Sequence, residues 1–303
     1  MMKRSWLSPA GLTAICAVGA ALAMSTGALA AQSDWVRGFE NKVRLIGISP
    51  PRAGSKAAYA AGVEIDMSPG FKTYWRNPGE AGGVPPEFDW AGSDNLASAQ
   101  VLYPAPDRLI DKAGANIGYK GHVIFPVEVM PKDPGKPVTL HLKAVFGVCK
   151  NICIPAEAEL EIKLSDKTEN SPDLGAAIAS VPQTLPVGAN PNDSGRPALA
   201  SWRIEKRDGN AILMLDVAGA GEKGDVFLFS DDGIYLPMTK KVEPRKSATS
   251  NAAARQADAI FEGDLSEGGD LKDLAGKSVW VTISGTKGQS ESLIALPEDL
   301  ARL

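Results

Sequence analysis

Two cysteines lie close together in the middle of the chain. Cys149 and Cys153 are separated by three residues, whereas the third cysteine, Cys16, lies near the N-terminus. Two sulfurs at this spacing can form a disulfide or, when reduced, attack another disulfide or bind a soft metal ion. Lys150 between them and Lys143 nearby would favour the thiolate that such an attack requires, whereas the glutamates that follow Cys153 would disfavour it. The pair is therefore the main candidate for chemistry.

A structural disulfide is the alternative role for the same pair. In the chain-entropy treatment, closing a loop of five residues contributes only about 2 kcal/mol to stability, against about 3 kcal/mol for fifteen residues. A short, exposed bridge is also of the kind that exchanges readily with other thiols. From the residues alone, a redox role and a structural role both stay open.

Alternating residues place the cysteines at the end of a predicted β-hairpin. The even-numbered positions from 138 to 148 and from 154 to 164 are apolar, and the glutamates at 157, 159 and 161 alternate with them. Because side chains along a strand point alternately to its two faces, Cys149 and Cys153 belong to the polar face. If the turn preserves this register, we expect both sulfurs to be exposed and accessible to another protein.

A copper site is a second functional alternative. The two thiolates could bind Cu(I) together with His141, His122 or Met130. The chain has only two histidines, so suitable donors are few. The preferred interpretation therefore includes no metal and no cofactor.

The N-terminal segment predicts export. Lys3 and Arg4 precede an apolar stretch from 12 to 23 and the small-residue run at 28–30, which together indicate a secretory signal peptide over residues 1–30. We expect a periplasmic protein that is soluble after cleavage, in a compartment where disulfides persist. The formal net charge is −4, which gives no indication of nucleic-acid binding. No later apolar run approaches the roughly 20 residues that span a bilayer, so membrane embedding is not expected.

Strand-like segments dominate the rest of the chain and indicate an all-β protein. Many short strands without a βαβ rhythm favour sandwiches, and we predict two immunoglobulin-like β-sandwich domains in tandem. The predicted division is a first domain over residues 31–165, a linker over 166–198 with a short helix at Leu174 to Ser180, and a smaller second domain over 199–303. A turn is predicted at Asp208-Gly209-Asn210.

Several separated motifs occur in the order of a known family. They are Phe71-Lys72-Thr73-Tyr74-Trp75-Arg76-Asn77-Pro78-Gly79, Pro85-Pro86-Glu87-Phe88-Asp89-Trp90, Ile117-Gly118-Tyr119-Lys120-Gly121 and Val148-Cys149-Lys150-Asn151-Ile152-Cys153-Ile154-Pro155. Together they resemble the periplasmic N-terminal domain of the thiol:disulfide interchange protein DsbD, particularly its branch in the copper-sensitivity suppressor protein ScsB. The resemblance is clear from about Trp35 to Leu164.

This resemblance implies an immunoglobulin-like fold and a redox role. In that family the two cysteines receive electrons from a thioredoxin-like module and pass them to periplasmic oxidoreductases. Carried over, Cys149 and Cys153 would be the catalytic couple, and which of them attacks first stays open. Family members shield the pair with an aromatic cap loop, for which Phe71, Tyr74 and Trp75 are candidates. Core packing is the alternative role for these aromatic residues.

Two departures from the family shape the expected function. The cysteine spacing is shorter than in the best-known DsbD proteins, and we do not expect the family's membrane-embedded conduit or C-terminal thioredoxin-like domain in this protein. We therefore expect one component of a thiol–disulfide oxidoreductase system with thioredoxin-like periplasmic proteins as partners. Either a separate membrane reductase is its electron donor, or the protein is a stand-alone relay. Copper tolerance or cytochrome maturation is the expected context. The rival interpretation is a non-catalytic periplasmic binding module with a structural disulfide.

Overall fold

The structure is a computed structural model that describes residues 32–302 except 50, 52, 112, 113, 166, 167, 169, 170, 244–256 and 268. The signal peptide predicted for residues 1–30 lies outside the described residues. Within the described ranges, no helix is long and apolar enough to cross a bilayer.

Among the described residues, eleven strands form the first β-sandwich. Their bounds are β1 (Val36–Gly38), β2 (Asn41–Ser49), β3 (Tyr59–Met67), β4 (Lys72–Tyr74), β5 (Glu87–Asp89), β6 (Leu96–Val101), β7 (Asp107–Asp111), β8 (Gly114–Lys120), β9 (His122–Pro131), β10 (Val138–Cys149) and β11 (Cys153–Leu164). One sheet has the order β1-β2-β3-β9-β6. The facing sheet has the order β11-β10-β4-β8-β7, and β5 pairs with β10.

The alternation of apolar residues explains the core of this sandwich. Val63 and Phe125 in one sheet and Leu140 and Phe146 in the other are fully buried in one continuous cluster. Their neighbours along β10 and β11 point the other way, so the glutamates of β11 are exposed. Burial of this apolar area supplies the main stabilising free energy, since one disulfide contributes far less.

The remaining elements form a connecting segment and a second, smaller sandwich. Their bounds are α1 (Pro172–Ala179), β12 (Gln183–Thr184), α2 (Pro191–Ser194), β13 (Ala198–Arg207), β14 (Asn210–Ala218), β15 (Asp225–Phe229), β16 (Lys240–Val242), β17 (Ala259–Asp264), α3 (Leu271–Leu274), β18 (Ser278–Gly285), β19 (Gly288–Ala295) and a 3-10 turn (Leu300–Arg302). The two sheets have the orders β12-β19-β18-β15 and β13-β14-β17-β16.

Local sequence signals account for the helix and the tight turn that were predicted. Ser171 caps α1 by accepting a hydrogen bond from the backbone N–H of Leu174, and Pro172 occupies the first turn, where its missing N–H costs nothing. Asp208 and Gly209 link β13 to β14 with φ values of 53° and 87°. A two-residue hairpin of this kind needs such left-handed backbone, which Asp and Gly adopt most readily. Both predictions are confirmed.

The predicted fold class is confirmed as well. The described chain is mainly β-strand and forms two sandwiches in tandem. The two sandwiches are in contact, because Phe227 of β15 belongs to the buried cluster of the first sandwich.

Candidate functional site

The β10–β11 hairpin positions the two cysteines. The strands pair antiparallel from Val138↔Leu164 to Cys149↔Cys153, so the cysteines form the last pair before the turn. Their Cα atoms are 4.1 Å apart, and the two sulfurs are joined in a disulfide. A long ladder of backbone hydrogen bonds therefore fixes where the disulfide lies.

The two sulfur-bearing residues differ in exposure. Cys149 is only 2% exposed, whereas Cys153 is exposed. The prediction that both lie on an accessible face is therefore wrong for Cys149. The reason is that β4 pairs with β10 at Cys149↔Lys72, while Gly147 donates its backbone N–H to the carbonyl oxygen of Val84 at 3.1 Å. Cys153 begins β11, which is the last strand of its sheet among the described residues.

Tyr74 at the end of β4 contacts the exposed cysteine. Its hydroxyl oxygen is 2.9 Å from Cys153 Sγ. A disulfide sulfur carries no proton, so the hydroxyl is the donor. Burial raises the pKa of the Tyr74 hydroxyl, and the carboxylate of Asp111 raises it further. Tyr74 therefore keeps its proton at neutral pH and remains able to donate.

The Gly-rich loop after β4 covers the ring of Tyr74. A Cβ atom placed on Gly83 would lie 2.3 Å from the ring carbon Cε1 of Tyr74, so only a glycine allows the backbone to lie this close. On the other side, a Cβ on Gly147 would lie 3.2 Å from Cε2. The ring is held between the two backbone segments and is 2% exposed.

Partly exposed apolar side chains lie in the turn of the hairpin and on the segment that Lys150 of this turn contacts. Ile152, next to Cys153 in the turn, is 70% exposed. Phe39 is 58% exposed and packs edge-on against Phe71, with ring centroids 6.3 Å apart. The Nζ of Lys150 lies 5.2 Å from the Phe71 ring centroid. Phe39, Phe71 and Ile152 are called the apolar rim below.

The lysines near the cysteine pair form ion pairs or hydrogen bonds with other residues. Lys72, beside Cys149 on β4, is buried and forms an ion pair with Asp111 at 2.5 Å, and it also donates to the side-chain oxygen of Asn116. Lys143 lies six residues before Cys149 and pairs with Glu159 at 3.1 Å. Lys150 directly follows Cys149, but its Nζ donates to the carbonyl oxygen of Pro69 at 3.4 Å, so neither of the two lysines expected to favour a thiolate is observed in contact with a sulfur.

Trp75 packs against the second sandwich, whereas Tyr74 contacts a sulfur. It is 1% exposed and packs against Phe227 and Phe229 of the second sandwich, each with ring centroids 6.0 Å away. The next residue, Arg76, pairs with Glu291 at 3.0 Å, and the side chain of Asn77 donates to the carbonyl oxygen of Leu228 at 2.9 Å. Of the three candidate cap residues, Tyr74 contacts a sulfur, Phe71 belongs to the apolar rim and Trp75 lies in the interdomain contact.

The structure does not assemble the predicted copper ligands. His141 lies eight residues before Cys149 on β10, which places it about 26 Å along the strand, and it faces Glu161. His122 lies in the sheet that faces the cysteine-bearing sheet, where it contacts Glu64 at 2.9 Å. Within the part of the chain that the structure describes, no group of three or more His, Cys, Asp or Glu side chains is arranged to hold a metal ion. The mixed histidine and cysteine site is therefore not supported.

The first sandwich has the immunoglobulin-like fold and the closely spaced cysteine pair that the sequence resemblance implies. Residues 48–165 match the family described as "Thiol:disulfide interchange protein DsbD, N-terminal". The first sandwich is thus identified as a DsbD N-terminal-type domain, and the resemblance seen in the sequence motifs is confirmed.

The similarity to one solved structure extends over both sandwiches. The N-terminal periplasmic domain of ScsB from Proteus mirabilis superimposes with a TM-score of 0.62 at 20% identity, over 88% of this chain and 98% of that one. At this identity the similarity shows the shared fold. An endo-fucoidan hydrolase, MfFcnA4, reaches a TM-score of only 0.10 at 11% identity, over 76% of this chain and 44% of that one, which carries no structural argument. Comparison with curated proteins gives no match.

Proposed function

We propose that this protein is a periplasmic thiol–disulfide interchange protein in which Cys149 and Cys153 cycle between a dithiol and a disulfide. The observation that carries the proposal is the asymmetry of the pair, since Cys153 is exposed and Cys149 is buried. A purely structural bridge does not need an exposed sulfur. The family match of the first sandwich supports the same role.

The asymmetry gives each cysteine a distinct part in the reaction. A thiolate of a dithiol partner attacks Cys153 Sγ, a bond forms between the two proteins, and Cys149 leaves as a thiolate that takes up a proton. The partner's second thiolate then attacks the partner sulfur of the mixed disulfide, which releases Cys153 as a thiolate. Two electrons have moved to the pair, and the partner is left with a disulfide. The reverse sequence delivers the electrons to an oxidised partner.

The proposed partners follow from this chemistry and from the family. Thioredoxin-like periplasmic proteins present an accessible cysteine that can reach Cys153, and the apolar rim offers a surface for contact. A separate membrane reductase is proposed as the electron donor. Copper tolerance or cytochrome maturation is the proposed context.

Reciprocal single-cysteine variants test the proposal. Cys149→Ala retains the exposed Cys153 and should accumulate a mixed disulfide with a thioredoxin-like partner that keeps only its accessible cysteine, because neither Cys149 nor a second partner cysteine is then present to resolve it. Cys153→Ala retains only the buried sulfur and should trap at least tenfold less. The products are separated on non-reducing gels and identified by mass spectrometry. Failure of both variants to trap any thioredoxin-like protein would favour the rival, a binding module with a structural disulfide.

A further inference from the structure

Tyr74 supplies a polar contact to the sulfur that the proposed reaction uses. We propose that Tyr74 is a catalytic residue of the thiol–disulfide exchange, whose hydroxyl donates a hydrogen bond that stabilises the thiolate of Cys153. The inference rests on the proposed function and adds a residue that acts on the reacting atom. It starts from the distance of 2.9 Å between the Tyr74 hydroxyl oxygen and Cys153 Sγ.

The surroundings of Tyr74 hold this donor in position before the reaction begins. The ring lies between the backbone at Gly83 and the backbone at Gly147, and β4 is hydrogen-bonded to β8 on one side and to β10 on the other. The side chain has little freedom to turn away, so the interaction costs little additional ordering. A donor fixed in this way stabilises negative charge when it develops on the sulfur.

The hydrogen bond acts mainly on the charged form of Cys153. A disulfide sulfur is a weak acceptor, whereas hydrogen bonds to an ionised acceptor are roughly twice as strong as neutral ones. Cys153 is a thiolate when it leaves the mixed disulfide and again when it attacks an oxidised partner. In both steps the sulfur carries the electron pair, and Tyr74 keeps its own proton throughout. Tyr74 should therefore increase the fraction of thiolate and reduce the basicity of that thiolate.

The larger thiolate fraction and the lower thiolate basicity together distinguish a hydrogen bond to the thiolate from a merely structural role of Tyr74. In the Cys149→Ala protein, Cys153 is the reactive thiol of the folded chain, and Tyr74→Phe removes the hydroxyl while keeping the ring. The pH midpoint at which thiolate absorbance develops should rise by about one pH unit, since one unit corresponds to about one charge-assisted hydrogen bond.

The rate of reaction with hydroxyethyl disulfide, a small neutral disulfide, should change in opposite directions on the two sides of that midpoint. Well below it, Tyr74→Phe should slow the reaction about threefold, because the tenfold loss of thiolate outweighs the gain in nucleophilicity. Well above it, the same variant should react about threefold faster, because the thiolate is then more basic. This reversal is the expected signature of a hydrogen bond to the thiolate.

Tyr103→Phe is the matched control. Tyr103 is a tyrosine of the same sandwich whose hydroxyl donates to the carbonyl oxygen of Pro86 at 3.3 Å. Its removal should leave both the midpoint and the rates unchanged. An unchanged midpoint in Tyr74→Phe, or rates altered in the same direction at every pH, would overturn the inference. If Cys149→Ala still traps partners in that case, the proposed function stands without a role for Tyr74.

A measurement on the unaltered protein tests the same contact without requiring that the Tyr74→Phe variant folds correctly. Ionised Cys153 beside Tyr74 should oppose ionisation of the phenol, so the tyrosinate absorbance of one tyrosine should develop at higher pH in the reduced protein than in the oxidised protein. Identical tyrosinate curves in the two redox states would contradict the contact.

Discussion

At the scale of residues, the two cysteines share a face of the hairpin but not an environment. Both occupy odd-numbered positions, as the alternation predicts, yet Cys149, which pairs with Lys72 of β4, is buried, whereas Cys153 is exposed. Burial disfavours a charged thiolate, whereas exposure and a hydrogen-bond donor favour it. The order of attack proposed above follows from this difference.

The substitution Gly83→Ala gives a testable prediction at the scale of residues. Gly83→Ala places a methyl group 2.3 Å from the Tyr74 ring, which is buried and cannot move freely. We expect the free energy of unfolding to fall by about 1–3 kcal/mol, the usual cost of overpacking, as measured by urea denaturation. The displaced ring should also weaken the contact with Cys153.

Gly263→Ala is the control for this prediction. Gly263 lies in β17, and the nearest heavy atom to an added Cβ is 3.6 Å away, an ordinary contact distance. The free energy of unfolding of the Gly263→Ala protein should stay equal to that of the unaltered protein or rise slightly, because alanine restricts the unfolded chain. Equal stability of the Gly83→Ala protein and the unaltered protein would contradict the close approach of this loop to Tyr74.

At the scale of elements, the hairpin could be predicted from the sequence, whereas its neighbours could not. The alternation from Val138 to Leu164 determines which side chains face the core, and the observed register agrees. The motif at 71–79 identified an important segment through its resemblance to the family. However, the pairing of β4 with β10 joins residues that are far apart in the chain, and no local periodicity encodes it.

The contact between Tyr74 and Cys153 shows the same limit. Tyr74 and Trp75 are adjacent aromatic residues, and the sequence offers no local reason to assign one to the sulfurs and the other to the second sandwich. Strand geometry separates them, since consecutive side chains point to opposite sides. The contact between Gly83 and the Tyr74 ring is also tertiary. The sequence alone predicts a surface loop here and gives no sign that the loop packs on the ring.

At the scale of the whole molecule, the second sandwich contacts the segment that contains Tyr74. Trp75, Arg76 and Asn77 all contact it, and the Arg76 guanidinium lies 4.4 Å from the Phe229 ring centroid. Arg108 of β7 adds a bidentate interaction with Asp225, at 2.8 and 2.7 Å. The second sandwich is therefore in a position to brace β4 and the site beside it.

The Arg108–Asp225 pair provides a test of this brace. Arg108→Gln removes a half-buried bidentate ion pair and leaves Asp225 without its cation, so the free energy of unfolding should fall by about 1–3 kcal/mol. Denaturant unfolding measures the change. The control is Lys136→Gln, because Lys136 and Asp133 form an ion pair that is mostly exposed on both sides and should contribute nothing measurable. Equal effects of the two substitutions would contradict a stabilising interface between the sandwiches.

The reduction potential of the Cys149–Cys153 pair tests the central claim most directly. The whole chain is equilibrated with mixtures of reduced and oxidised glutathione or dithiothreitol, and the reduced fraction is quantified by thiol alkylation and mass spectrometry. A couple that exchanges electrons with other proteins should have a potential less negative than about −300 mV. A value well below about −300 mV would mark a structural bond that resists exchange and would contradict the account.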